Sequence, residues 1–236
     1  MLYPEVCFFH IEKCVGSSLR QILYNYYKNI YDESEIYLPE KNLENNINQN
    51  LIDEKDVEFF KDTNYKVILC HCSFNQYNVT SFFSEKCFSI TCVRNPIDRI
   101  LSHYYFFDYK YTNLKFHELN EDIALNFIID YGKHILLRLS GNTLDVNLAK
   151  ENIQKINYIL ILETFNDDLI SLNELLNNKY NIKIEMENII NNENIINYKD
   201  FKNKDLEIIN KYINLIEDIE IYEFIVNIKN NKNILF

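Results

Sequence analysis

FFHIEKCVGSSLRQIL, residues 8–23, decides how the rest of the chain is read. It opens inside an apolar run, VCFFHI at 6–11, whose aromatic and β-branched residues fit a buried strand. It closes inside SSLRQILYNYYKNIY (17–31), where Leu19, Ile22, Leu23 and Tyr26 recur at i, i+3, i+4 and i+7, one face of a helix. Between them sits Gly16, one of only three glycines in 236 residues. Strand, tight loop and helix start make an anion site, because free N–H groups and the positive end of the helix dipole point at one spot. Gly16 lets the backbone approach an oxyanion without a Cβ in the way. Ser17 and Ser18 can cap the helix and offer hydroxyls to phosphate or sulfate oxygens. Lys13 adds a full positive charge. A plain structural turn with an N-cap accounts for the glycine and serines but not for Lys13. The kinase-type loop is GxxxxGK[ST]. Here the lysine precedes the glycine and the first glycine is absent, so a nucleotide kinase or other P-loop enzyme is disfavoured but stays open.

Further apolar runs read as buried strands at KVILCHCSF (66–74), CFSITCV (87–93) and NYILILE (157–163). Helices are expected at 51–62, 94–109, 120–142 with a break near Gly132, 164–180, and 205–229 as one helix or a pair. The polar stretches 32–50 and 182–198 read as loop. Buried strands alternating with helices imply βα units: an α/β fold with a central, mostly parallel sheet flanked by helices, in three layers, as a single domain over 1–236. Ligands in such folds bind at the carboxyl ends of the strands, where residues 12–18 and 94–102 both fall.

Composition sets outer bounds. A chain of this length buries about 70–75% of its unfolded surface, so it needs no covalent staples, and 47% hydrophobic residues supply a core. The net charge of −11 argues against nonspecific nucleic-acid binding and against an anionic membrane surface. The six cysteines all lie within the first 92 residues, with no CxxC pair, and read as buried thiols of a reducing compartment. Cys70, His71 and Cys72 have no second pair to complete a zinc site. The N-terminus lacks the basic start and long apolar region of a signal peptide. No apolar run approaches the ~18–20 residues of a membrane span. A cytoplasmic protein is expected.

The second informative segment is VRNPIDRILSHYYFF, 93–107. Arg94 follows a strand directly, and Ser102 lies about two turns along the next helix. An arginine fork with a serine hydroxyl suits a phosphate. Arg99 is expected instead to pair with a surface carboxylate such as Asp98. Pro96 falls near the first turn, where a missing N–H is harmless. Two phosphate sites on one sheet suggest a nucleotide carrying phosphates at both ends of its ribose.

On these two motifs the chain resembles sulfotransferases that use 3′-phosphoadenosine 5′-phosphosulfate (PAPS), of the Golgi-type carbohydrate family that includes the uronosyl 2-O-sulfotransferases. FFHIEKCVGSSL (8–19) is similar to that family's 5′-phosphosulfate loop. CVRNPIDRILSHYYF (92–106) is similar to its 3′-phosphate motif: an arginine, a proline two residues on, and a serine eight after the arginine. Weaker likenesses follow in family order at ILLRLSGN (135–142), ILILETFNDDL (159–169) and EDIEIYEF (217–224). The resemblance implies that Lys13 contacts the bridging oxygen and sulfuryl group, that Cys14, Gly16, Ser17 and Ser18 cradle the 5′-phosphosulfate, and that Arg94 and Ser102 hold the 3′-phosphate with help from Arg138. It implies His71 as the base that deprotonates an acceptor hydroxyl on a carbohydrate, with no metal required. Glu12 departs from the pattern, standing where the family has proline, and Cys70 stands where a glycine often precedes the histidine. A non-catalytic protein retaining the fold is the further alternative, with Glu12 its best support.

Overall fold

A computed structural model describes residues 5–14, 16–38, 64–70, 87–141, 143–180 and 202–231. Five strands form one sheet: β1 Val6–His10, β2 Ile36–Tyr37, β3 Val67–Cys70, β4 Phe88–Val93 and β5 Tyr158–Ile161. Their order is β2-β3-β1-β4-β5, and every neighbouring pair is parallel. β1 is central, with Val6 opposite both Val67 and Phe88, and all five of its residues are buried. That explains why it reads as an unbroken apolar run rather than an alternating one. The chain leaves β1 towards β3 and β2 on one side, then crosses to β4 and β5 on the other. The strand order therefore reverses beside β1, and in such sheets ligands bind at the carboxyl ends of the strands flanking the reversal, here β1 and β4.

The expected helices appear with altered ends. α1 spans Gly16–Tyr27. It stops short of residue 31 because the next turn tightens, with Asn29 N–H donating to Tyr26 O and Ile30 N–H to Tyr27 O. α2, Pro96–His103, starts where Asn95 Oδ1 accepts from the N–H groups of Ile97 (3.0 Å) and Asp98 (3.4 Å). It runs on through a π-helical turn, Tyr104–Asp108, into α3, Tyr109–Thr112. α4, Glu121–Tyr131, and α5, His134–Leu139, are parted at Gly132, where a Cβ would lie 2.6 Å from the Ile128 carbonyl oxygen. α6, Val146–Gln154, has no counterpart among the expected helices; α7 is Phe165–Tyr180, α8 Lys202–Lys211 and α9 Asp218–Asn231, so the closing segment is a helix pair. The expected helix at 51–62 and loop at 182–198 lie outside the described residues.

β2 corrects the sequence reading, which made 32–50 wholly loop. Two residues between an acidic turn and Pro39 carry no periodicity. Only the pairing of Ile36 with Val67 and Tyr37 with Ile68 makes them a strand. Arg99 is a second correction. It is wholly buried in α2 rather than paired at the surface, and its guanidinium lies 3.5 Å from the equally buried Asp218 of α9. Asp98 pairs instead with Lys202, at 2.6 Å.

One apolar cluster lines the sheet under α1, α5, α6, α7 and α9. A second lies between α2, the π turn, α4 and α8. Asp218 joins the two regions. Its carboxylate faces Arg99 and accepts from the N–H groups of Ile135 (2.9 Å) and Leu136 (2.8 Å), the first turn of α5. Among the described residues, no helix is long and apolar enough to cross a membrane.

Candidate active site

The two motifs meet. β1 and β4 are adjacent, with His10 opposite Cys92, so their outgoing loops share one end of the sheet. Arg94 leads directly off β4, and its Nη1 donates to the carbonyl oxygen of Lys13 at 3.3 Å. The β1–α1 loop is held open in an uncommon shape. Lys13 has φ 64°, in the left-handed region that costs a residue with a Cβ energy unless its surroundings enforce it. Here the Arg94 bond at its carbonyl, and the Cys14 N–H donating to Ile11 O at 3.3 Å, enforce it.

Gly16 opens α1, and no acidic residue lies in the helix's first turn, which keeps its positive end uncompensated. Its lack of a side chain has a nearer cause than an oxyanion: a Cβ would fall 1.5 Å from Cδ2 of the His10 imidazole. His10 is buried and stacks on Phe8. Glycine is thus demanded by the ring that seats the helix start against β1. Ser17 and Ser18 follow in the same turn of α1. Cys14 is wholly buried, and burial pushes its thiol up to about 12. Its N–H is already taken by Ile11, so it shapes the loop from inside.

The Lys13 ammonium lies over the Phe106 ring, 3.4 Å from the centroid, with Phe107 at 5.6 Å. Burial under these rings, with the like charge of Arg94 second, lowers its pKa to about 8. This contact is invisible in the sequence because it depends on the π turn. The extra residue per turn rotates Phe106 and Phe107 outward, 47% and 40% exposed, while Tyr104 and Tyr105 stay buried. π turns recur at functional sites.

Glu12, one residue before Lys13, is not paired with it. Its carboxylate accepts from Arg138 of α5, Nε to Oε2 at 3.2 Å and Nη2 to Oε1. Arg138 therefore reaches the β1–α1 loop through the Glu12 carboxylate. Ser102 lies near the end of α2 and is only 4% exposed, on the packed face of the helix. Glu163, just after β5, accepts from the backbone N–H of Asn95 at 2.9 Å and from the Tyr222 hydroxyl at 2.9 Å. It pins the turn that carries Arg94. His71 and Cys72 lie outside the described residues.

The remaining histidines have partners that the sequence did not name. Buried His103 joins half-buried Tyr131 and His134 in a ring cluster, where desolvation first and then Arg99 lower the two histidines' pKa values to about 3 and 4. His117 Nδ1 lies 2.6 Å from Asp205, which also accepts from Tyr105 at 2.7 Å.

The site thus gathers two basic side chains and a helix start at the switch point of a parallel sheet, an arrangement chemically suited to an anion. A family model, Sulfotransferase family, matches residues 4–227. No match is found among curated proteins. A match over nearly the whole chain, with both motifs meeting at one end of the sheet, establishes that the chain belongs to the sulfotransferase family.

Proposed function

We propose that this protein transfers a sulfuryl group from PAPS to a hydroxyl of a carbohydrate acceptor. The observation that carries the reading is the Arg94–Lys13 bond, which ties the two phosphate-binding motifs into one cationic site. The uncompensated start of α1 fits the 5′-phosphosulfate, and the Arg94 guanidinium fits the 3′-phosphate. The acceptor class rests on the resemblance to the uronosyl 2-O-sulfotransferases. Sulfuryl transfer breaks the bond between sulfur and the bridging oxygen as the acceptor oxygen bonds to sulfur. Positioning and charge stabilisation do most of the work, as in loose phosphoryl transfer. Lys13 stabilises the negative charge that gathers on the bridging oxygen. Gly16, Ser17 and Ser18 hold the 5′ end, and Arg94, Ser102 and Arg138 the 3′ end. His71, next in the chain after the last residue of β3, is proposed to take the acceptor proton.

The test is calorimetric titration with the desulfated nucleotide, 3′-phosphoadenosine 5′-phosphate, without magnesium. Arg94→Ala is expected to weaken binding by about 1.5–3 kcal/mol, the scale of a hydrogen bond to a charged group. That is about 10- to 150-fold. Unchanged affinity in a folded variant would remove Arg94 from the site.

Lys13 adds a pH signature. With a pKa lowered to about 8 it is charged below that pH and neutral above it. Only the ammonium attracts the nucleotide's phosphates. Nucleotide affinity is therefore expected to hold from pH 6 to 7 and fall as pH rises through 8 towards 10. The fall should be absent in Lys13→Met. A bound anion favours the ammonium, so the midpoint seen in the complex should lie above that of the free protein.

A further inference from the structure

We propose that Glu12 sets how tightly the nucleotide is held, by competing with its phosphates for Arg138 and so speeding release of the desulfated product. The proposal rests on the donor reading above. Glu12 stands directly before Lys13, inside the loop that would receive an anion. Its carboxylate takes the Nε–Nη2 edge of Arg138, the planar edge that a guanidinium offers to one bidentate partner at a time.

Both ends of this pair are fixed. Arg138 rides on α5, whose first turn is capped by the buried Asp218. Glu12 belongs to the loop that Arg94 clamps at Lys13 O. The side chains of Arg138 and Glu12 are 13% and 22% exposed, so solvent screens the pair only in part.

An arriving phosphate takes the arginine edge only by leaving the Glu12 carboxylate without that partner. That exchange weakens binding relative to a neutral residue at position 12. When the nucleotide leaves, Glu12 recovers Arg138, so the same contact that opposes binding favours departure. Product release limits turnover in many enzymes, so a residue that weakens the product complex can raise the overall rate.

The experiment is a double-mutant cycle with 3′-phosphoadenosine 5′-phosphate as the probe. It compares wild type, Glu12→Gln, Arg138→Gln and the double variant. Affinity is read by calorimetry, dissociation rate by stopped-flow displacement, and folding by circular dichroism. Glu12→Gln keeps shape and removes charge. It is expected to bind about tenfold tighter, mainly through slower dissociation. In the Arg138→Gln background the same change is expected to alter affinity less than threefold. Weaker or unchanged binding by Glu12→Gln would overturn the proposal, because Glu12 would then only orient Arg138. An equal gain in both backgrounds would overturn it too, because Glu12 would act as a general nearby charge. If neither the wild type nor Glu12→Gln binds while both are folded, the donor reading itself fails and the proposal falls with it. Binding by Glu12→Gln alone would support it.

Discussion

Lys13→Met is expected to lower the rate of the chemical step by about a hundred- to a thousandfold, the loss seen when one preorganised donor at a developing charge is removed. The ammonium is held by the fold rather than by the ligand. Lys13 sits at φ 64° in a loop clamped at its carbonyl by Arg94, and its Nζ rests 3.4 Å over the Phe106 ring. Such a group needs little rearrangement as charge gathers on the bridging oxygen. In the proposed reaction it would contribute more to the transition state than to the ground state, so nucleotide affinity should fall far less than rate. Single-turnover release of 3′-phosphoadenosine 5′-phosphate from the donor measures the first, and calorimetry the second. Equal losses in both would make Lys13 a binding residue only. Lys13→Arg should not restore the rate, because a planar guanidinium cannot occupy the place of a compact ammonium on the ring.

Asp218→Ala is expected to cost about 3–5 kcal/mol of stability, the range for breaking a buried ion pair from one side. Arg99 and Asp218 are both wholly buried, and the same carboxylate holds the first turn of α5 through Ile135 and Leu136. Truncating it leaves a buried guanidinium without its counter-charge and frees the start of α5. Burial pushes Asp218 up to about 6 even though Arg99 and the N–H groups of Ile135 and Leu136 pull it down. Denaturant titration should show a lower midpoint with an unchanged slope. Combining Asp218→Leu with Arg99→Met should recover part of the loss, since no buried charge then remains. If the double variant is as unstable as the sum of the singles, the pairing account is wrong and packing volume alone explains the cost.

The parts of this site legible in the sequence are those whose chemistry is local. A strand running into a lysine, a scarce glycine and two serines defines the β1–α1 loop, and Pro96 marks the first turn of α2. Even there, Gly16 was legible as a position that excludes a Cβ, but not the His10 ring that excludes it. What escaped depends on distant partners. Glu12 and Arg138 are separated by 126 residues. Arg99 resembles any helix-surface arginine until α9 brings Asp218 against it. Phe106 reaches Lys13 only because one turn of helix is π rather than α, a change of register that apolar periodicity does not encode. β2 is two residues long, so its pairing with β3, not its composition, makes it a strand.

The switch point beside β1 is proposed to hold a nucleotide phosphorylated at both ends of its ribose. Magnesium-free calorimetric titration of the wild-type protein with 3′-phosphoadenosine 5′-phosphate, set against adenosine 5′-monophosphate and against ATP with magnesium, tests it most directly. Single-site micromolar binding of the first, with the other two at least tenfold weaker, is the predicted result. Preference for ATP with magnesium, or no binding by folded protein, would contradict it.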